Sequence, residues 1–239
     1  MILISPIEKY AEQERLYIAV RDAEGRVVAD DLLKQLPNPP ESYIHHKEWK
    51  LRAESFHRFA SYIDKYYASQ RLKILDIGCG NGWMSHRLYK QGHSVTAIDL
   101  NIAELEQAER VFGTDENLLW VYADILKDEI PNIPFDVIVF GASSQYFNDI
   151  SILTGRLKPL LKRRGSIHLL DTFFYTEDTI AAAQQRTEEY YNNLGYPLMA
   201  TYYHHHSVND LKRNGYKKLF PSFFSGKGKP EWWVCKADS

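Results

Sequence analysis

The stretch Lys73-Ile-Leu-Asp-Ile-Gly-Cys-Gly-Asn-Gly-Trp-Met-Ser85 decides the fold of this 239-residue chain. It opens with an apolar β-type segment, Ile74, Leu75 and Ile77, and then places Gly78, Gly80 and Gly82 within five residues. An amphipathic stretch follows. A strand that turns through glycines into a helix brings backbone N–H groups and a positive helix end up to a ligand. Asp76 stands two residues before the first glycine. A phosphate cradle disfavours a carboxylate at its lip, whereas a ligand with a charged amine welcomes one.

Working outward, strand and helix alternate. The patterning predicts strand 72–77, helix 82–91, strand 94–99 and helix 102–112, the last with the capping pair Asn101 and Glu104. Strand 118–122 precedes Asp124, and strand 135–140 precedes Gly141. A helix over 149–163 and strand 166–171 follow. Five strands separated by helical segments imply a parallel sheet with helices on both faces. Upstream, Trp49, Ala53, Phe56, Phe59, Ile63 and Tyr67 mark a helix over 47–67. Residues 1–47 read as an appendage. Leu16–Val20 and Arg26–Val28 flank Asp22-Ala-Glu-Gly25 as a hairpin, and Pro37, Pro39 and Pro40 mark a linker or cover. Residues 48–239 form the main domain. Its C-terminal part holds a helix over 177–194, an aperiodic segment 196–206 and a short helix capped by Ser207 and Asp210. Two final strands near 216–220 and 232–236 read as a hairpin.

Composition narrows the classes. Lys plus Arg total 29 against 31 Asp plus Glu, which gives no electrostatic reason to expect nucleic acid or an anionic membrane as partner. No apolar run approaches the ~20 residues of a membrane span, and the N-terminus lacks the marks of a signal peptide. Two cysteines, Cys79 and Cys235, make neither a disulfide framework nor a zinc ribbon, so a cytoplasmic location is expected.

Asp76-x-Gly78-x-Gly80-x-Gly82 resembles the glycine motif of class I S-adenosylmethionine-dependent methyltransferases, and the resemblance runs over roughly residues 50–236. It implies a Rossmann-like, seven-stranded, mostly parallel sheet ending in an antiparallel hairpin. It also implies S-adenosyl-L-methionine as cofactor. The glycine loop, Gly78 to Gly82 with Cys79 and Asn81, then lies against the amino-acid part, together with Asp76. Asp99, at the second strand end, accepts both ribose hydroxyls, with Leu100 beside it. Ala123, Asp124 and Ile125 follow the third strand, where the resemblance assigns the acid to the adenine amino group. Gly141 and Ala142 end the fourth strand near the methionine part and the acceptor. Before the fifth strand, Arg163-Arg164-Gly165 replaces the family's Pro-Gly-Gly turn, at the sheet end opposite the ligand.

The reaction expected is methyl transfer by direct displacement to a small organic acceptor. Tyr146, His204 and His206 are the candidates for contacting the acceptor. Other aromatics, among them Phe173 to Tyr175, are expected to border the cleft, and 1–47 and 196–206 to cover it. Three adjacent histidines point in different directions, so no metal site is expected at 204–206. Two rival readings are weighed. A nicotinamide-dependent oxidoreductase needs Gly-x-Gly-x-x-Gly or Ala, but Trp83 or Ser85 occupies the third position. A non-catalytic cofactor-binding module is the other, because the family shares no universal catalytic residue.

Overall fold

Parallel strands buried on both faces need apolar side chains on alternate residues pointing to both sides, and this chain supplies them. The computed structural model describes residues 1–219 and 231–237. Its sheet comprises β1 (Ile2–Leu3), β2 (Lys73–Ile77), β3 (Ser94–Asp99), β4 (Leu118–Tyr122), β5 (Phe135–Gly141), β6 (Leu161–Thr172), β7 (Lys217–Lys218) and β8 (Glu231–Lys236). The order is β1-β4-β3-β2-β5-β6-β8-β7. β1 to β6 pair parallel, and β8 runs antiparallel between β6 and β7. The expected Rossmann-like architecture with its terminal hairpin is therefore present. Residues 220–230, which include Phe223 and Phe224 and which the sequence reading took as a loop, lie outside the described residues.

The helices are α1 (Ala11–Ala23), α2 (Asp30–Leu33), α3 (His46–Tyr66), α4 (Trp83–Lys90), α5 (Ile102–Phe112), α6 (Ile150–Leu157), α7 (Ile180–Leu194) and α8 (Val208–Arg213). Ile74, Val95, Trp120 and Val137 face one side, where α3, α4 and α5 pack with Phe59, Leu88 and Leu105. Leu75, Ile98, Val121 and Ile138 face the other, against Leu153 of α6 and Leu211 of α8. The chain winds outward through β2, β3 and β4. It then crosses to β5 on the far side of β2. That reversal between β2 and β5 is where ligand crevices open in such sheets.

Several elements differ from the sequence reading. An eighth strand, β1, extends the sheet, with Ile2 opposite Val121 and Leu3 opposite Tyr122. No helix joins β4 to β5. β6 starts at Leu161, five residues early, because Leu161 pairs with Phe135 across an irregularity before the regular ladder. The largest correction is the hairpin expected around residue 20: it is helix α1. The β-type run Leu16–Val20 misleads, since Tyr10, Glu14, Tyr17, Arg21 and Glu24 recur at helical spacing. Gly25, in the left-handed region at φ +65°, follows the helix end. Among the described residues no helix is long and apolar enough to cross a membrane.

Candidate functional site

The turn after β2 is pinned to β3: the N–H groups of Gly78 and Cys79 both donate to the Ile98 carbonyl, at 2.8 and 3.1 Å. Gly78 sits at φ +67°, and a Cβ there would lie 2.5 Å from the Ser143 Cβ. The ends of β2 and β5 thus approach as closely as backbone allows. Ser143 Oγ locks the contact by donating to the Ile77 carbonyl. Over this turn opens a cleft of about 550 Å³, within the range of small-molecule sites.

One half of the cleft carries the glycine turn and Asp99. Gly78, Cys79, Gly80 and Asn81 line it, as do Asp99 and Leu100 at the end of β3 and Gly141 and Ala142 at the end of β5. The Asp99 carboxylate accepts the Gly80 N–H at 2.7 Å and the Asn101 N–H at 2.9 Å. A carboxylate offers about four lone-pair sites, so acceptor capacity remains toward the cleft. Burial raises the Asp99 pKa to about 6 against the help of those N–H groups. Glu104, also lining the cleft, is raised by burial and by Asp99 to about 7.

Asp76 proves to be a support under the turn rather than a wall of the cleft. It is fully buried, Oδ2 accepts the Ser85 hydroxyl at 2.5 Å, and Oδ1 has no hydrogen-bond partner. Burial lifts its pKa from 3.8 to about 7. An acid whose folded pKa is raised favours the native state when protonated. Stability is therefore expected to fall as pH climbs from about 4 to about 7, by at most about 1.4 kcal/mol per unit. Asp76→Asn removes that titration. Urea titrations of the ligand-free protein from pH 4.5 to 8 should show a flatter profile for the variant; an unchanged slope would refute the assignment.

Ala123, Asp124 and Ile125 do not line the cleft, contrary to the adenine role expected of the acid. Asp124 Oδ2 accepts the Tyr10 hydroxyl at 2.7 Å and pairs with Lys127 at 2.8 Å, while Oδ1 accepts the Leu126 N–H. Burial opposes its charge, but Lys127, Tyr10 and that N–H outweigh it and lower the pKa. Tyr10 takes the lining position instead. Gly82 also lies off the cleft, packed on Trp120.

The other half of the cleft holds Tyr146 and Phe173, as expected from the sequence, together with a helix that was not expected. Helix α1 roofs it with Tyr17, Val20 and Arg21, and with Glu24 at its C-cap. Bonds to the sheet side hold the roof, among them Tyr10 to Asp124 and the Ala103 N–H to Glu14 Oε1 at 3.1 Å. Tyr146 stands opposite, edge-on to Tyr17 at 5.7 Å and to Tyr203 at 6.1 Å. An ion network forms the rim. Arg26 pairs with Glu24 and Glu48, and Arg52 with Glu48. Asp171, at the end of β6 with φ +57°, and Phe173 complete the opening. The helical recurrence of polar and aromatic residues from Tyr10 to Glu24 was the signal available.

His204 and His206 are not brought to the cleft. His206 is buried with Nε2 3.2 Å from the Ser144 carbonyl, and burial lowers its pKa. The His204 side chain lies outside the lining, while its N–H donates to the Gln145 carbonyl at 2.7 Å. His205 instead meets the Thr187 hydroxyl at 3.0 Å. The three rings diverge because adjacent residues cannot converge on one point. Among the described residues no group of His, Cys, Asp and Glu is placed to hold a metal ion.

Residues 74–165 match the family model described as a methyltransferase domain. An uncharacterized methyltransferase of Mycobacterium tuberculosis is 33% identical over 94 residues, 39% of this chain and 47% of that protein. The malonyl-acyl-carrier-protein O-methyltransferase of Priestia megaterium is 29% identical over 119 residues, 49% of this chain and 42% of that protein. The chain thus spans about half the length of the curated relatives it matches. Among solved structures, the plantazolicin methyltransferase BpumL in complex with SAH superposes with a TM-score of 0.58 at 18% identity, covering 97% of this chain and 98% of that one. Magnesium protoporphyrin IX methyltransferase from Synechocystis PCC 6803, with bound SAH, gives 0.58 at 14%, covering 87% and 94%. At these identities the likeness is one of fold.

Proposed function

We propose, from the match of residues 74–165 to the methyltransferase-domain model and from the cleft above it, that this protein is an S-adenosylmethionine-dependent methyltransferase acting on a small organic acceptor. The carrying observation is the pairing of the Gly78–Asn81 turn with Asp99 in one cleft, at the point where the strand order reverses. Residues 48–239 form the catalytic domain and 1–47 its cover.

The residues present fit the cofactor. Asp99 keeps acceptor capacity for a ribose diol. The backbone of Gly78 to Asn81 lies open to the cleft for the amino-acid part, without side chains on the two glycines. Gly141 and Ala142, at the end of β5, are set for the methionine part beside Tyr146. When bound, the cofactor would supply an electrophilic sulfonium methyl, with its neutral thioether as the leaving group. The chain supplies position and dryness: α1 closes the cleft from above, and Tyr17, Tyr146 and Tyr203 wall the approach to the methyl. Burial raises the Tyr146 pKa above its ordinary value. Its hydroxyl is therefore a phenol near neutral pH and orients an acceptor by donating a hydrogen bond rather than by taking a proton.

Two measurements test the reading. S-adenosylhomocysteine is expected to raise the melting temperature, and NAD at the same concentration to leave it unchanged. A shift with NAD alone overturns the assignment. Labelled S-adenosylmethionine is then incubated with a metabolite extract. Transfer of label into small molecules supports an enzyme, whereas tight binding without any transfer supports a non-catalytic binding module.

A further inference from the structure

The half of the cleft beneath α1 is unusual in what its polar groups lack. Tyr17, Tyr146, Tyr191 and Tyr203 all line it, yet none of their hydroxyls hydrogen-bonds another described residue. Burial raises the pKa of each of the four, so all four remain neutral donors. The rings meet edge to face: Tyr17 on Tyr146, Tyr146 on Tyr203 and Tyr191 on Tyr203. A further flat ring extends such an arrangement favourably.

Arg21 enters the same space from α1. Its Nη1 makes a long contact of 3.5 Å with Glu24, while its buried Nε has no partner. No described residue accepts from Nη2 either. The Nε–Nη2 edge is the fork that receives a carboxylate through two parallel bonds. Glu24 does not reach that edge: its Oε2 meets only Nη1 of Arg21, and its carboxylate also takes the Tyr190 hydroxyl at 2.6 Å and Arg26 at 3.3 Å. Along the rim three guanidiniums, Arg21, Arg26 and Arg52, face two carboxylates, Glu24 and Glu48. That leaves one positive charge. Glu14, Asp99, Glu104 and Asp171 also line the cleft, but none forms an ion pair with Arg21, and burial raises the pKa of each.

We infer that this half of the cleft is the acceptor subsite, and that it selects an aromatic carboxylate: the ring sits among Tyr17, Tyr146 and Tyr203, and the carboxylate on the Nε–Nη2 edge of Arg21. The inference rests on the methyltransferase reading and names its substrate class.

The test is calorimetry on full-length protein saturated with S-adenosylhomocysteine. Three probes share one ring system: 2-naphthoate, 2-naphthamide and 2-naphthylmethylammonium. Naphthoate is expected to bind roughly tenfold or more tightly than the other two, the scale of one charge-assisted pair. Arg21→Gln is expected to erase the preference while leaving affinity for the neutral amide within about twofold. Arg21→Lys, which keeps the charge but not the fork, should retain part of it. The proposal is overturned if the wild type binds no probe, binds amide or ammonium as tightly as naphthoate, or if the preference survives in Arg21→Gln. Should Arg21→Gln fail to fold, the wild-type ranking and the lysine variant still decide. Failure of S-adenosylhomocysteine itself to bind counts against the methyltransferase reading, and so is distinguished from failure of the subsite.

Discussion

Gly82→Ala is expected to destabilise the protein by roughly 2–5 kcal/mol, a large share of the 5–15 kcal/mol that holds a domain folded. Gly82 precedes α4 in the left-handed region at φ +74°. A Cβ in that conformation costs about 1–2 kcal/mol. The larger part is steric. The new methyl would lie 2.4 and 2.5 Å from two ring carbons of Trp120 and 3.0 Å from the Ala108 Cβ. Trp120 is fully buried in β4 and its indole N–H donates to the Gly113 carbonyl, so the ring has no room to retreat. Forcing a methyl into a packed core costs a further ~1–3 kcal/mol. Gly92→Ala is the control: φ is +94°, but nothing lies within 4 Å of the added carbon. At about 2–4 °C per kcal/mol for a domain of this size, Gly82→Ala should melt roughly 10 °C below the wild type, and Gly92→Ala only a few degrees below. If the two variants melt within 2 °C of each other, the packing account of Gly82 is wrong.

That contrast shows what the glycine motif did and did not reveal. The spacing of Gly78, Gly80 and Gly82 announced a strand–turn–helix, and the structure agrees. It did not announce that the glycines have different tasks. Gly78 lets two strand ends touch, whereas Gly82 makes room for a tryptophan nearly forty residues away in sequence. β3, β4 and α5 were legible to the residue because their apolar periods face a continuous core and Asn101 caps α5 with its side chain on the Glu104 N–H. α1 was not legible, because its conspicuous face is made of Tyr10, Glu14, Tyr17, Arg21 and Glu24. Those residues line a cleft rather than a core, so the apolar periodicity that betrays most helices is weak there. Asp124 lies outside the cleft lining for a reason of the same kind. Its place after β4 was correct, but its partner Tyr10 comes from a segment 114 residues away. The histidines failed differently: a run of three is conspicuous in sequence and incoherent in space.

Asp99→Ala is expected to weaken S-adenosylhomocysteine binding by about a hundredfold or more without unfolding the protein. Asp99 sits at the carboxyl end of β3 and serves both the turn and the cleft. Its oxygens hold the N–H groups of Gly80 and Asn101, so it fixes the turn that lies against the amino-acid part of the ligand. Its remaining lone pairs meet the ribose hydroxyls in the proposed complex. Hydrogen bonds to a charged group contribute about 1.5–3 kcal/mol each, and two of them correspond to at least a hundredfold in affinity. The sheet itself should survive, because Ile77 and Ile98 and not Asp99 pack the interior of this region. Asp99→Asn tests the charge separately: its amide nitrogen cannot accept an N–H, so one of the two turn bonds is lost even though the shape is kept. A third reading comes from the wild type. Burial sets the Asp99 pKa at about 6, and only the ionised form accepts on all sides. Ligand affinity is therefore expected to fall as pH drops below about 6, and this component of the dependence should vanish in Asp99→Ala. Calorimetry at pH 5, 6 and 8 on both proteins measures it. An Asp99→Ala affinity within twofold of the wild type at pH 8 would falsify the ribose role and with it the placement of the cofactor in this half of the cleft.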